Sequence, residues 1–195
     1  MSGLYRFGKV IAFIYVHLCF RFRVVGKENF PKSGGIVLCC NHQSYNDIFL
    51  LGKASSRQLH FMGKEELFKN RFVKWLFYKL GSFSVKRGSG DSGALDFAKK
   101  IVNEQRVFTI FPEGTRSRDG QMLRAKSGAA VVAASCGAPI LPAAIKYSRS
   151  RHVFCRATVA FGKPIEVKME EASRGEIRRV STEIMDSIKE LYNAI

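Results

Sequence analysis

Two hydrophobic periods alternate along this 195-residue chain. Short apolar runs bounded by glycine, proline or polar turns predict strands at 21–25, 36–40, 59–62, 82–86, 107–111, 139–145 and 152–161. Between them, helical spacing predicts a helix capped by Ser44, a second from about 64 to 80, a third over 92–105 and a fourth over 125–136, stopped by Gly137. The last, over 173–192, places Ile177, Val180, Ile184, Ile188 and Leu191 on one face. Strands alternating with helices predict a single α/β domain over residues 21–195, with a central, mainly parallel mixed sheet flanked by helices. No internal repeat or low-complexity tract interrupts the pattern, and the length suits one domain with a substantial core.

Residues 1–20 stand apart. Val10 to Phe20 is an apolar, aromatic-rich segment with Arg6 and Lys9 before it and Arg21 and Arg23 after. Spanning a bilayer takes about 20 apolar residues, so this stretch is too short. A helix lying in a membrane interface fits the flanking charges. A helix packed on the domain fits the same pattern.

Charge sharpens the picture. Thirty-two Lys and Arg against 16 Asp and Glu give a net charge of +16 and a pI near 9.9, so the partners are polyanions: nucleic acid, an anionic membrane or phosphorylated molecules. Between residues 53 and 87, nine basic residues are interleaved with aromatics such as Phe72, Trp75 and Tyr78. No nucleic-acid motif accompanies them, so nucleic acid is not an expected partner. The five cysteines show no Cys-x-x-Cys or zinc-type spacing and read as thiols of a reducing compartment, with no metal site expected.

Two polar loops follow predicted strands. After residues 36–40 comes Asn41-His42-Gln43-Ser44-Tyr45-Asn46-Asp47. An imidazole exchanges a proton near neutral pH, and a carboxylate fixes its tautomer. The same Asp47 also completes a Ser44-x-x-Asp47 capping-box pattern, and spacing does not separate the two roles. No Gly-x-Ser-x-Gly elbow supplies a nucleophile. After 107–111 comes Pro112-Glu113-Gly114-Thr115-Arg116-Ser117, where Arg116 offers a planar fork to a phosphate. Ligands of open α/β sheets gather at the carboxyl ends of strands, so both loops are expected at one site.

With these blocks the chain resembles the glycerolipid acyltransferases, specifically the bacterial PlsC-type 1-acylglycerol-3-phosphate acyltransferases. The likeness rests on His42-x-x-x-x-Asp47, on Gly63-Lys64-Glu65-Glu66-Leu67-Phe68 with Val85-Lys86-Arg87-Gly88, on Phe111 to Ser117, and on Ala138-Pro139-Ile140-Leu141-Pro142-Ala143-Ala144. The family commonly carries a proline shortly after the Leu-Phe of the second block; here Asn70-Arg71 follow.

The resemblance implies transfer of a fatty acyl group from acyl-CoA or acyl carrier protein, as co-substrate, to the free hydroxyl of lysophosphatidic acid. It assigns His42 as base and Asp47 as its orienting carboxylate. It assigns the acceptor phosphate to Arg116, then Arg87, with Lys64 and Lys126 behind. Glu113, Gly114 and Thr115 fall in the same binding block, where Glu113 either meets substrate or orders Arg116. A thioester already has a good leaving group, so neither enzyme nucleophile, metal nor cofactor is expected. Lipid substrates imply a monotopic or peripheral protein at the cytoplasmic face of the cell membrane. Other expected acceptors are glycerol-3-phosphate or another lysophospholipid; a basic nucleic-acid-binding protein or a membrane scaffold is the alternative of another class.

Overall fold

All five side chains of Ile36–Cys40 are buried, because this strand has protein on both of its faces. Val37 and Cys39 enter one apolar cluster, while Ile36, Leu38 and Cys40 enter another on the opposite side. A continuous apolar run is what a central parallel strand requires. The structure, a computed structural model, describes residues 3–85, 92–117, 121–148, 154–167 and 173–195.

Its elements follow in the order α1 (Gly3–Cys19), β1 (Phe20–Val25), β2 (Ile36–Cys40), α2 (Asp47–Ala54), β3 (Leu59–Lys64), α3 (Arg71–Lys79), β4 (Phe83–Val85), α4 (Ser92–Asn103), β5 (Val107–Ile110), α5 (Gly128–Cys136), β6 (Ile140–Tyr147), β7 (Cys155–Phe161) and α6 (Arg174–Ala194). The seven strands form one sheet in the order β1-β7-β6-β2-β5-β3-β4. Every neighbouring pair is parallel except β6 with β7, giving the mainly parallel mixed sheet that the alternation of elements predicts. Helices α4, α5 and α6 cover one face; α1 and α2 cover the other.

The placement of β2 beside β5 decides where the chemistry lies. Cys39 pairs with Ile110, so the loops starting at Asn41 and Phe111 leave neighbouring strands at the same level. Helix α5, built of alanine, valine and glycine with Ala129, Ala130, Val132 and Ala133 buried, packs its small side chains closely on the sheet behind them. Gly137 ends it in the left-handed region.

Three sequence expectations shift. The helix expected from Ser44 begins at Asp47, with Asn46 at its cap position. Ser44 spends its hydroxyl on the Asn46 N–H, while Asp47 turns its carboxylate back into the preceding loop. The complete capping box lies instead at Ser173 and Glu176, opening α6. The helix expected over 64–80 is divided: β3 continues to Lys64, a 3-10 turn spans Glu65–Phe68, and α3 starts at Arg71. Asn70 makes this break, because its side chain accepts the Phe72 and Val73 N–H groups. Finally, α5 starts at Gly128, three residues beyond the expected 125. Lys86 of the expected fourth strand and His152 and Val153 of the last lie outside the described residues.

Helix α1 packs on the domain with one face and leaves another exposed. Tyr5, Ala12 and Val16 pack inward, and Gly8 lets the helix pass close to the end of α3: a Cβ there would lie 3.0 Å from Leu80 Cδ2. The Tyr15 hydroxyl donates to Asn46 Oδ1 at 2.9 Å and Tyr5 accepts the Leu59 N–H at 3.0 Å. Phe7, Val10, Ile11, Phe13, Ile14 and Leu18 nonetheless stay at least half exposed. Among the described residues no helix is long and apolar enough to cross a membrane.

Candidate active site

The loop after β2 is folded around one buried carboxylate. Asp47 Oδ2 accepts from His42 Nδ1 at 2.8 Å, from the Gln43 N–H at 2.7 Å and from the Ser44 N–H at 2.9 Å. Its Oδ1 accepts from the Tyr147 hydroxyl at 2.6 Å. Four donors facing one carboxylate suit an ionised acceptor. Asp47 therefore shapes the loop and holds His42 at once. With Nδ1–H committed to Asp47, Nε2 is the basic nitrogen of His42.

His42 is also held from below. Its ring stacks on Phe111 with centroids 3.9 Å apart and planes 11° from parallel. Its N–H donates to Glu113 Oε1, and its carbonyl accepts the Ser117 N–H at 2.8 Å. One residue earlier, Asn41 clasps the Ile145 backbone, donating to its carbonyl at 3.0 Å and accepting its N–H at 2.7 Å. The side chain of His42 keeps 15% of its surface open while that of Asp47 is fully enclosed. The imidazole thus faces outward on a hydrogen-bonded support.

The second loop supplies the cation. The Arg116 guanidinium lies 3.6 Å from the centre of the Tyr45 ring, so the two motif loops meet through their side chains as well as their backbones. Lys126 joins them: its N–H donates to the Pro112 carbonyl, and its side chain lies along Gly114, where a Cβ would come within 2.8 Å of Lys126 Cε. Gly114 has φ +71, a left-handed conformation that favours glycine. Thr115 is exposed beside Arg116.

Glu113 does not join this open surface. It is 3% exposed, and its two oxygens accept the His42 and Leu123 N–H groups, each at 2.9 Å. Burial pushes its pKa up, opposed by those two hydrogen bonds. Both bonds come from backbone N–H groups of the two loops, a role that neither of the two expected for Glu113 named. Arg87 lies outside the described residues, as does the side chain of Lys64, whose backbone closes β3 on the same edge of the sheet.

The nucleophile expected from the substrate has no rival in Cys40. Burial, then the neighbouring Asp47 and Glu113 carboxylates, push that thiol well above its ordinary pKa and keep it neutral. Among the described residues no three His, Cys, Asp or Glu side chains converge to hold a metal ion. Sequence reasoning missed Tyr147, Phe111, Asn41 and Tyr45. Tyr45 and Asn41 stand within the first motif, where their neighbours pointed to them. Tyr147 lies 100 residues from Asp47 and carries no local signal.

An imidazole–carboxylate dyad and a cationic loop at the carboxyl ends of adjacent parallel strands define a group-transfer site for anionic substrates. The acyltransferase family model matches residues 21–146, and the chain belongs to that family. It is similar to the 1-acyl-sn-glycerol-3-phosphate acyltransferase of Bacillus subtilis, at 29% identity over 89% of each chain. It is also similar to the lyso-ornithine lipid O-acyltransferase of Pseudomonas aeruginosa, at 30% identity over 88% of this chain and 65% of that protein. The crystal structure of the 1-acyl-sn-glycerophosphate acyltransferase PlsC from Thermotoga maritima superimposes with a TM-score of 0.75 at 30% identity, covering 96% of this chain and 78% of the other.

Proposed function

We propose that this acyltransferase moves a fatty acyl group from acyl-CoA or acyl carrier protein to the sn-2 hydroxyl of lysophosphatidic acid, giving phosphatidic acid. One observation carries the reading: an Asp47-held His42 and a Tyr45-stacked Arg116 lie on two loops bonded to each other, pairing a base for a hydroxyl with a cation for a phosphate. His42 Nε2 takes the hydroxyl proton as the oxygen attacks the thioester carbonyl. Asp47 stabilises the imidazolium that forms. The C–S bond then breaks, and the imidazolium returns its proton to the departing thiolate. Arg116, with Lys126 behind it, binds the acceptor phosphate.

The exposed apolar face of α1 and the aromatic residues Phe72 and Trp75 of α3 would rest in the headgroup region of an anionic leaflet, at the cytoplasmic face where thioester donors are made. The excess of Lys and Arg adds roughly 1 kcal/mol of attraction for each residue near that surface.

The similarity to the lyso-ornithine lipid enzyme supports a second acceptor class. Purified protein offered lysophosphatidic acid, lyso-ornithine lipid and glycerol-3-phosphate separately, with acyl-CoA or acyl carrier protein, separates them by product mass. Phosphatidic acid is the expected product; transfer to the lyso-ornithine lipid alone would overturn the phosphate reading.

A further inference from the structure

Tyr147 ends β6 and takes no part in the steps above, yet it touches the dyad directly. Its hydroxyl donates to Asp47 Oδ1 at 2.6 Å, the oxygen opposite the one that serves His42. The residue is 8% exposed and its ring packs 6.2 Å from that of Phe20, so it does not reach substrate. Burial, followed by the adjacent Asp47 carboxylate, drives the phenol's pKa up. The hydroxyl therefore stays protonated and remains a donor.

The labour is divided between the two oxygens of Asp47. Oδ2 gathers the imidazole and two backbone N–H groups from its own loop. Oδ1 faces away from that loop, inside an enclosed site, and draws its donor from a strand on the far side of β2. A buried carboxylate oxygen stripped of its donor is costly, and the group relieves the cost by rotating or by taking a proton. Either response spoils the bond to His42 Nδ1. The backbone fixes the spacing: Asn41 grips Ile145 through both atoms of its amide, two residues before Tyr147 and one before His42.

We propose that Tyr147 is a positioning residue for acyl transfer, its hydroxyl holding the Asp47 carboxylate ionised and turned toward His42 so that Nε2 remains the basic nitrogen. The proposal rests on the reading of His42 as base. Among the described residues, the titratable groups facing the dyad are Cys40 from the end of β2, Glu113 from the loop after β5 and Tyr147 itself from β6. The Ser44 hydroxyl is also within hydrogen-bonding reach of Tyr147. Cys40 stays neutral, and Glu113 acts on the His42 backbone rather than on its ring.

Tyr147→Phe tests this, because it removes the hydroxyl and keeps the ring against Phe20. The expected result is a ten- to hundredfold fall in kcat, the loss implied by one charge-assisted hydrogen bond, with acceptor KM within about twofold of wild type. The acid limb of the pH profile of kcat/KM should move to lower pH, since an Asp47 that has rotated or taken a proton no longer stabilises the imidazolium. In an Asp47→Asn background, Tyr147→Phe should cost little more. Phe20→Leu, which loosens the packing and spares the hydroxyl, should lower the melting temperature without moving the limb. If Tyr147→Phe does not fold, 3-fluorotyrosine at position 147 keeps the shape and strengthens the donor, and the limb should then move the opposite way, to higher pH.

An unmoved acid limb with Phe or 3-fluorotyrosine at 147 would overturn the proposal. So would a loss that persists in full in the Asp47→Asn background, or a Phe20→Leu limb that moves in parallel. An inactive wild type would instead overturn the acyltransfer reading, so the two failures are distinguishable.

Discussion

The His42 N–H donates to Glu113 Oε1 at 2.9 Å, so the two motif loops are joined through the backbone of His42. Leu123 donates to the other oxygen, and Ser117 donates back to the His42 carbonyl. Two of these bonds tie the loop after β2 to the loop after β5, and the Leu123 bond braces Glu113 within the second loop. Glu113→Gln replaces one acceptor oxygen with an amide donor and leaves a buried N–H facing it, which costs about 1–3 kcal/mol. The expected result is a lowered melting temperature together with a lowered kcat. A raised acceptor KM at unchanged stability would show instead that Glu113 meets the substrate.

Arg116 is held in place by the Tyr45 ring 3.6 Å away. An exposed cation–π contact contributes about 0.5–1 kcal/mol. Tyr45→Ala should therefore raise the acceptor KM about two- to fivefold, and Tyr45→Phe should leave it near wild type. Arg116→Ala removes the cation itself and should raise KM further, which initial-rate measurements against lysophosphatidic acid would resolve.

His60 gives the fold a pH signature separate from catalysis. It is 5% exposed, its Nδ1 lies 3.2 Å from the Val107 carbonyl, and burial lowers its pKa below the ordinary 6.5. As pH falls below 6.5 the unfolded chain takes a proton that the folded protein refuses, so stability is lost on acidification. Melting curves between pH 7.5 and 5 should fall less steeply for His60→Gln than for wild type. Equal slopes would show that His60 does not carry this dependence.

The outward face of α1 provides a test of membrane contact. Ile14 and Leu18 are 51% and 65% exposed, and burying an aliphatic side chain is worth about 1.5–3 kcal/mol. Ile14→Asp with Leu18→Asp should reduce co-sedimentation with anionic vesicles at least tenfold and leave the melting temperature near wild type. Turnover of a bilayer-borne acceptor should fall with it. Undiminished vesicle binding would count against α1 as the contact.

Much of this was legible in the chain because local physics wrote it there. Continuous apolar runs marked the central strands, and β2 is buried throughout. The residues of the two motif loops were also readable, since a strand end opening into polar residues is a local pattern. What local pattern did not carry was tertiary. Ser44 and Asp47 match a capping box, but the buried carboxylate is drawn into the loop by His42, Gln43 and Tyr147, and the helix starts later. The single helix expected over 64–80 breaks at Asn70, whose capping side chain stands where the family commonly has proline. Tyr147 lies two residues beyond the strand expected at 139–145, and the pairing of β2 with β6 brings it to Asp47.

The most direct measurement is the kcat of purified His42→Ala for acyl transfer to lysophosphatidic acid, beside wild type. A base that removes the acceptor proton contributes about 10²–10⁴ in rate. A fall of that size, with the fold intact and acceptor KM little changed, is the expected result. Transfer by His42→Ala at the wild-type rate would contradict the assignment of His42 as the base.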